Sequence, residues 1–131
     1  MADFDDIRIV DIDEKLTRQS DPDRKAIFDV YLTLSAAPPA EWAQYFDARW
    51  QMKIYSMKRR AQVSGRYIVI RCVPDELPKY HMAELKAVVA EANAAYRNFF
   101  DAQRAAATAK ADEEAKNKQA IQDLKSRMKF D

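Results

Sequence analysis

The chain has 131 residues, with 22 bases against 21 acids, 48% hydrophobic content, and one glycine, one cysteine and one histidine. A single glycine excludes the phosphate-cradling loops of nucleotide-binding proteins in their usual forms, and a single cysteine excludes an internal disulfide. No run approaches the roughly 18 apolar residues of a membrane-crossing helix, and no charged-then-apolar leader opens the chain, so a reducing, cytoplasmic setting is the expectation.

Residues 1–6 read MADFDD, acidic and loose. Ile7–Leu16 follows, with apolar residues at Ile7, Ile9, Ile12 and Leu16; the spacing fits either a strand or a helix, and β-branched content favours the strand. Residues 17–24 are polar around Asp21-Pro22-Asp23 and read as a turn into the second strand. That strand, Ala26–Leu34, alternates cleanly. Phe28, Val30, Leu32 and Leu34 line one face, with Ile27, Asp29, Tyr31 and Thr33 on the other.

Pro38-Pro39 then ends the extended stretch and suits the opening of a helix, with Glu41 placed to complement its amino-terminal dipole. From Ala40 to Gln51 an aromatic stripe of Trp42, Tyr45, Phe46 and Trp50 falls at helical spacing, wide enough to lie on a sheet. The helix is expected to end near Lys53. Met52–Met57 either continues it or begins the third strand.

The stretch 61–73 holds Gly65, the residue that permits a positive φ at a tight reversal. Arg60–Val63 and Tyr67–Cys72 therefore read as an antiparallel hairpin. Ile68, Ile70 and Cys72 share its inner face, which makes Cys72 a buried, reduced thiol. Tyr67, Val69 and Arg71 face the other way.

Pro74–Pro78 stops the strand and leads into a helix with Met82, Leu85, Val88, Val89, Ala92, Tyr96, Phe99 and Phe100 on one stripe. Nothing after Pro78 compels that helix to stop. Residues 102–120 are mostly alanine, lysine and acids, and Ile121, Leu124 and Met128 restore an a/d-like spacing over barely one heptad. Three readings of this tail stand side by side: a helix that dimerises weakly, a helix that folds back on its Ile121–Met128 patch, and a frayed end. The expected organisation is an α+β domain over 1–101 and a helical extension over 102–131. In the domain a four-stranded antiparallel sheet of order β-β-α-β-β-α carries two helices on one face.

Charge is uneven along the chain. Residues 1–50 hold 11 acids and 6 bases, and 51–131 hold 16 bases and 10 acids. Lys53, Lys58, Arg59, Arg60, Arg66 and Arg71 fall in a stretch without any acid, able to meet phosphate, an acidic protein, or the acidic amino-terminal part of the same fold. A sheet face carrying Tyr31, Tyr67 and Arg71, with Arg59 and Arg60 to steer association, points to a non-enzymatic protein-interaction module of adaptor, chaperone or inhibitor type, itself a homodimer. The alternative is a nucleic-acid binder on the same basic hairpin, which the near-neutral pI of about 7.8 argues against. A third reading makes Cys72 and His81 a nucleophile and base; no orienting third residue or oxyanion site accompanies them, and His81 is expected partly exposed on the first helical turn. Asp11, Asp13 and Glu14, with Asp3, Asp5 and Asp6, have the oxygen ligands of a hard-cation site but not the spacing or glycine of a calcium loop. No cofactor or metal is therefore assigned.

Overall fold

The computed structural model describes residues 4–128. Asp3 of the acidic opening lies outside them. Two compact units divide the chain, one running through Arg97 and one from Asn98 onward.

The first unit holds the five strands of one antiparallel sheet: β1 (Ile9–Ile12), β2 (Arg18–Asp21), β3 (Arg24–Leu34), β4 (Ala61–Ser64) and β5 (Tyr67–Cys72). The order is β1-β3-β5-β4, and β2 also pairs with β3. β1 meets the carboxyl-terminal half of β3 at Ile12↔Leu32, and β2 meets its other half at Gln19↔Phe28. The two short strands thus share one edge of the longest strand.

The sheet therefore has five strands where four were expected, and the segment read as a turn over 17–24 is mostly strand. Only Pro22-Asp23 makes the reversal. Its polar composition hid β2, because three of its four residues are exposed and it has no buried face to advertise. The first strand is also shorter than Ile7–Leu16. Asp13 breaks it: its Oδ1 accepts the backbone N–H groups of Lys15 and Leu16, closing a local turn. Thr17 Oγ1 then accepts the Tyr31 N–H, and the chain rejoins β3 as β2.

The β4–β5 hairpin turns as expected. Ser64 pairs with Tyr67, and Gly65 carries φ +57° at the first loop position. Met52–Met57 is neither strand nor, beyond Met52, helix. The helix α1 (Ala40–Met52) stops where Lys58 Nζ caps it by donating to the carbonyls of Gln51 and Lys53.

The other helix, α2 (Met82–Arg127), follows a π-helical turn over Leu77–His81. α1 and the first turns of α2 cover one face of the sheet. Trp42, Phe46 and Trp50 of α1 and Leu85, Val88, Val89 and Ala92 of α2 pack on Val30, Leu32, Leu34, Ile68, Ile70 and Cys72. Each large side chain fully buried in this way contributes about 1.5–3 kcal/mol. Trp42 stacks on Phe46 at 5.8 Å and Phe46 on Trp50 at 6.1 Å, so the aromatic stripe is core.

One buried polar residue ties the layers together. Asn93 of α2 accepts through Oδ1 from Trp42 Nε1 and from the Ile7 N–H, and its Nδ2 donates to the Ile7 carbonyl.

The second unit consists of the remaining turns of α2. Alanine, lysine and glutamate are good helix formers, and Asp112/Lys116 and Glu114/Lys118 fall at the i, i+4 spacing that adds about 0.2–0.5 kcal/mol per pair. Every described side chain from Asp101 onward is exposed.

Candidate functional site

Alternation along β3 and β5 sorts their side chains between the core and the opposite face. Asp29, Tyr31 and Thr33 pair in register with Arg71, Val69 and Tyr67. All six stand on the face away from the helices, half-buried except for the exposed Arg71.

Tyr31 and Tyr67 sit diagonally across the two strands, and their rings meet edge to face at 5.7 Å. The Tyr67 hydroxyl donates to Asp13 Oδ2 at 3.2 Å. That bond favours the protonated phenol and raises the pKa of Tyr67. The Leu16 backbone N–H is the main reason the Asp13 carboxyl lies below its ordinary value.

Arg71 Nε donates to Asp29 Oδ1 at 3.1 Å, and the Ser20 hydroxyl donates to the same oxygen at 2.8 Å. Beside this pair the exposed Arg60, just before β4, and Gln62 of β4 border a concavity of about 210 Å³. Arg66 at the hairpin bends back, its guanidinium donating to the carbonyls of Leu34 and Ser35.

Of the sequence-derived binding residues, then, Tyr31, Tyr67, Arg71 and Arg60 come together on one face. Arg59 does not join them. Its Nε and one terminal amine hold both carboxylate oxygens of Glu76, at 3.0 and 3.1 Å, on the way into α2. This two-point grip raises the pKa of the guanidinium and lowers that of Glu76. Ser20 and Asp13 were missed as members of the face, and Asp29, which alternation had placed there, was not named as a binding residue. Its pairing with Arg71 comes from the antiparallel register.

His81 departs from expectation. It is fully buried rather than partly exposed, because the π-helical turn winds it inward against Tyr55. Its Nδ1 lies 2.7 Å from the Tyr55 hydroxyl, and its Nε2 lies 3.5 Å from Glu76 Oε1. Cys72 is buried as expected, and burial pushes its thiol up to about 11. A thiol so held is a poor source of the nucleophilic thiolate. Among the described residues no hydrogen bond joins it to His81.

Of the amino-terminal carboxylates, Asp11 accepts the Ile12 N–H and Asp13 those of Lys15 and Leu16, while Asp6 pairs with Arg97. Among the described residues no three His, Cys, Asp or Glu side chains group as metal ligands.

Side chains engage edge backbone groups of β4 and of the chain at and just before β1. At β4, Asp47 Oδ1 accepts the outward Val63 N–H. On the other side Asn93 takes both backbone groups of Ile7, and Asp11 takes the N–H of Ile12. Strand addition, one way a sheet recruits a partner, meets occupied donors at Val63 and Ile12. Beside β1 an apolar groove of about 560 Å³ runs between Val10, Ile12, Leu77, Pro78 and Met82.

No helix of the described residues is long and apolar enough to cross a membrane. Compared with known proteins, the chain matches no family model, no curated protein and no solved structure.

Proposed function

We propose that this chain is a non-enzymatic protein-interaction module that docks a partner on the face of β3 and β5. The observation that carries the reading is the grouping of the Tyr31–Tyr67 pair, Val69 and two arginines on a sheet face opposite the one the helices cover. Tyrosine and arginine are the residue types that anchor interfaces: the rings supply rigid apolar area, and the guanidinium supplies directed donors. Arg71 already has Asp29, whereas Arg60 has no ion pair among the described residues. The fitting partner offers a carboxylate to Arg60 beside an apolar side chain for Tyr31 and Val69.

A photo-crosslinking residue placed at Gln62 tests this against one placed at Thr108 in the distal helix. Support is a discrete protein adduct at Gln62 that resists nuclease and is lost on Tyr31→Ala or Arg60→Glu. An adduct that nuclease destroys would instead favour the nucleic-acid reading, in which affinity falls log-linearly with salt.

Self-association is a second reading, favoured by Ile121, Leu124 and Met128, which are more than half exposed at a 3-then-4 spacing. Light scattering of the full chain against one ending at Asp101 tests it. A dimer that becomes a monomer on truncation supports it, and a full chain that is already monomeric removes it.

A further inference from the structure

We propose that His81 is a pH-sensitive latch that fastens the loop between α1 and β4 to the turn entering α2. The inference goes beyond the binding reading and does not depend on it.

Three polar contacts hold residues 53–59 to that turn: Lys53 to Glu84 at 2.8 Å, Tyr55 to His81 at 2.7 Å, and Arg59 to Glu76 at 3.0 Å. The middle contact is the one that responds to a proton. Burial pushes the Tyr55 phenol up to about 12, so it keeps its proton, and His81 Nε2 faces a carboxylate oxygen of Glu76, toward which a ring N–H is favourable and a bare lone pair is not. His81 Nδ1 is therefore the acceptor. The ring proton sits on Nε2, which faces Glu76 Oε1 at 3.5 Å and has no hydrogen-bond partner.

The groups facing His81 are few. Tyr55 comes from the loop and Glu76, held by Arg59, from the turn; Tyr80 lies ring to ring with His81 at 6.3 Å. Cys72 of β5 and Glu84 of α2 complete the surroundings and act electrostatically on Tyr55.

Imidazolium has two donors and no acceptor. Once His81 is protonated, Tyr55 loses the acceptor for its proton inside packing it shares with Trp50, whose ring lies 5.8 Å away. On the other side Nε2 gains charge and draws on Glu76 Oε1, which already accepts from Arg59 Nε and from the Val73 N–H. Both changes fall on the contacts that fasten the loop. The loop is also strained: Met57, not a glycine, sits at φ +67°. Protonation of His81 on acidification thus unfastens residues 54–59 and leaves the sheet and helices in place.

Hydrogen exchange of the full chain at pH 7.5 and 5.5, corrected for the intrinsic rate, tests this. The reporters are the Arg59 amide and the Trp50 indole N–H, which donates to the Arg59 carbonyl. The expected result is a tenfold or greater loss of protection at both reporters on acidification, with no change over Tyr67–Cys72. In His81→Phe protection should be low at both pH values. Equal protection at the two pH values in the native chain, or the same acid-induced loss in His81→Phe, overturns the proposal. Should His81→Phe not fold, ¹⁵N shifts of the native ring decide: a neutral ring protonated at Nε2 supports the latch, and one protonated at Nδ1 overturns it.

Discussion

Asn93 Oδ1 stands 2.8 Å from Trp42 Nε1 and 2.9 Å from the Ile7 nitrogen, so one amide oxygen joins α1, α2 and the chain entering β1. Together with the Nδ2 bond to the Ile7 carbonyl, it satisfies three buried polar groups from elements up to 86 residues apart. Asn93→Ala would orphan all three, and an unsatisfied buried group costs about 1–3 kcal/mol. A loss of ~3 kcal/mol or more is expected, read as a fall in the urea midpoint at constant slope. Trp42→Phe, which removes one donor and leaves the Ile7 bonds, should cost markedly less.

The open face should behave oppositely. Arg71 is exposed, and an ion pair of that kind is worth about 0–1 kcal/mol. Arg71→Ala is therefore expected to leave the unfolding midpoint nearly unchanged. A large loss of stability would mean that the face is part of the scaffold, which would weaken its assignment as a docking surface.

The buried thiol gives a third test. With its pKa up to about 11, Cys72 should resist aromatic disulfide reagents at pH 8 in native buffer and react at the rate of unfolding in denaturant. Labelling within seconds in native buffer would contradict the burial described.

Acid stability should turn on Glu76. Its folded-state pKa lies below the ordinary 4.5, chiefly through the bond from Arg59, so the unfolded chain takes up this proton first as pH falls. The stabilisation is fully present above about 4.5 and is lost as pH drops through the folded value. Asp47 has the reverse sign. Burial raises its pKa above 3.8, so its contribution is greatest below that value and fades as pH rises through the folded one. Glu76→Gln should flatten the acid limb of a stability-versus-pH curve, and an unchanged limb would show that other carboxylates control it.

Asp47 also guards an edge. Asp47→Ala leaves the Val63 N–H of β4 open to another chain, so faster aggregation is expected by turbidity at constant concentration. Asp47→Asn keeps an acceptor and removes a half-buried charge, and should remain as soluble as the native protein.

The architecture was legible wherever burial wrote a period into the sequence. Phe28, Val30, Leu32 and Leu34 marked β3, Trp42–Trp50 marked α1, and Gly65 marked the hairpin. β2 was not legible, because Arg18–Asp21 is an edge strand with little to bury. The candidate face was half legible: alternation put Asp29 and Tyr31 on one side of β3 and Tyr67 and Arg71 on one side of β5, but only the register sets Asp29 opposite Arg71. The inward turn of His81 and the grip of Arg59 on Glu76 were beyond reach. They depend on a π-helical turn, one residue wider than an α turn, that no local composition announces.

The rings inside the first unit have an optical consequence. Trp42, Phe46, Trp50, Tyr55 and His81 follow one another with centroids 5.8–6.1 Å apart, each held at a fixed angle to the next. Indoles and phenols locked in a chiral array give a strong near-ultraviolet circular dichroism band, which vanishes when packing loosens even if the helices persist. Both tryptophans belong to this array, so the indole part of the band reports the tight native core, while the far-ultraviolet signal is dominated by the 46 residues of α2. The protein carries an intrinsic gauge that separates a packed interior from a merely helical one.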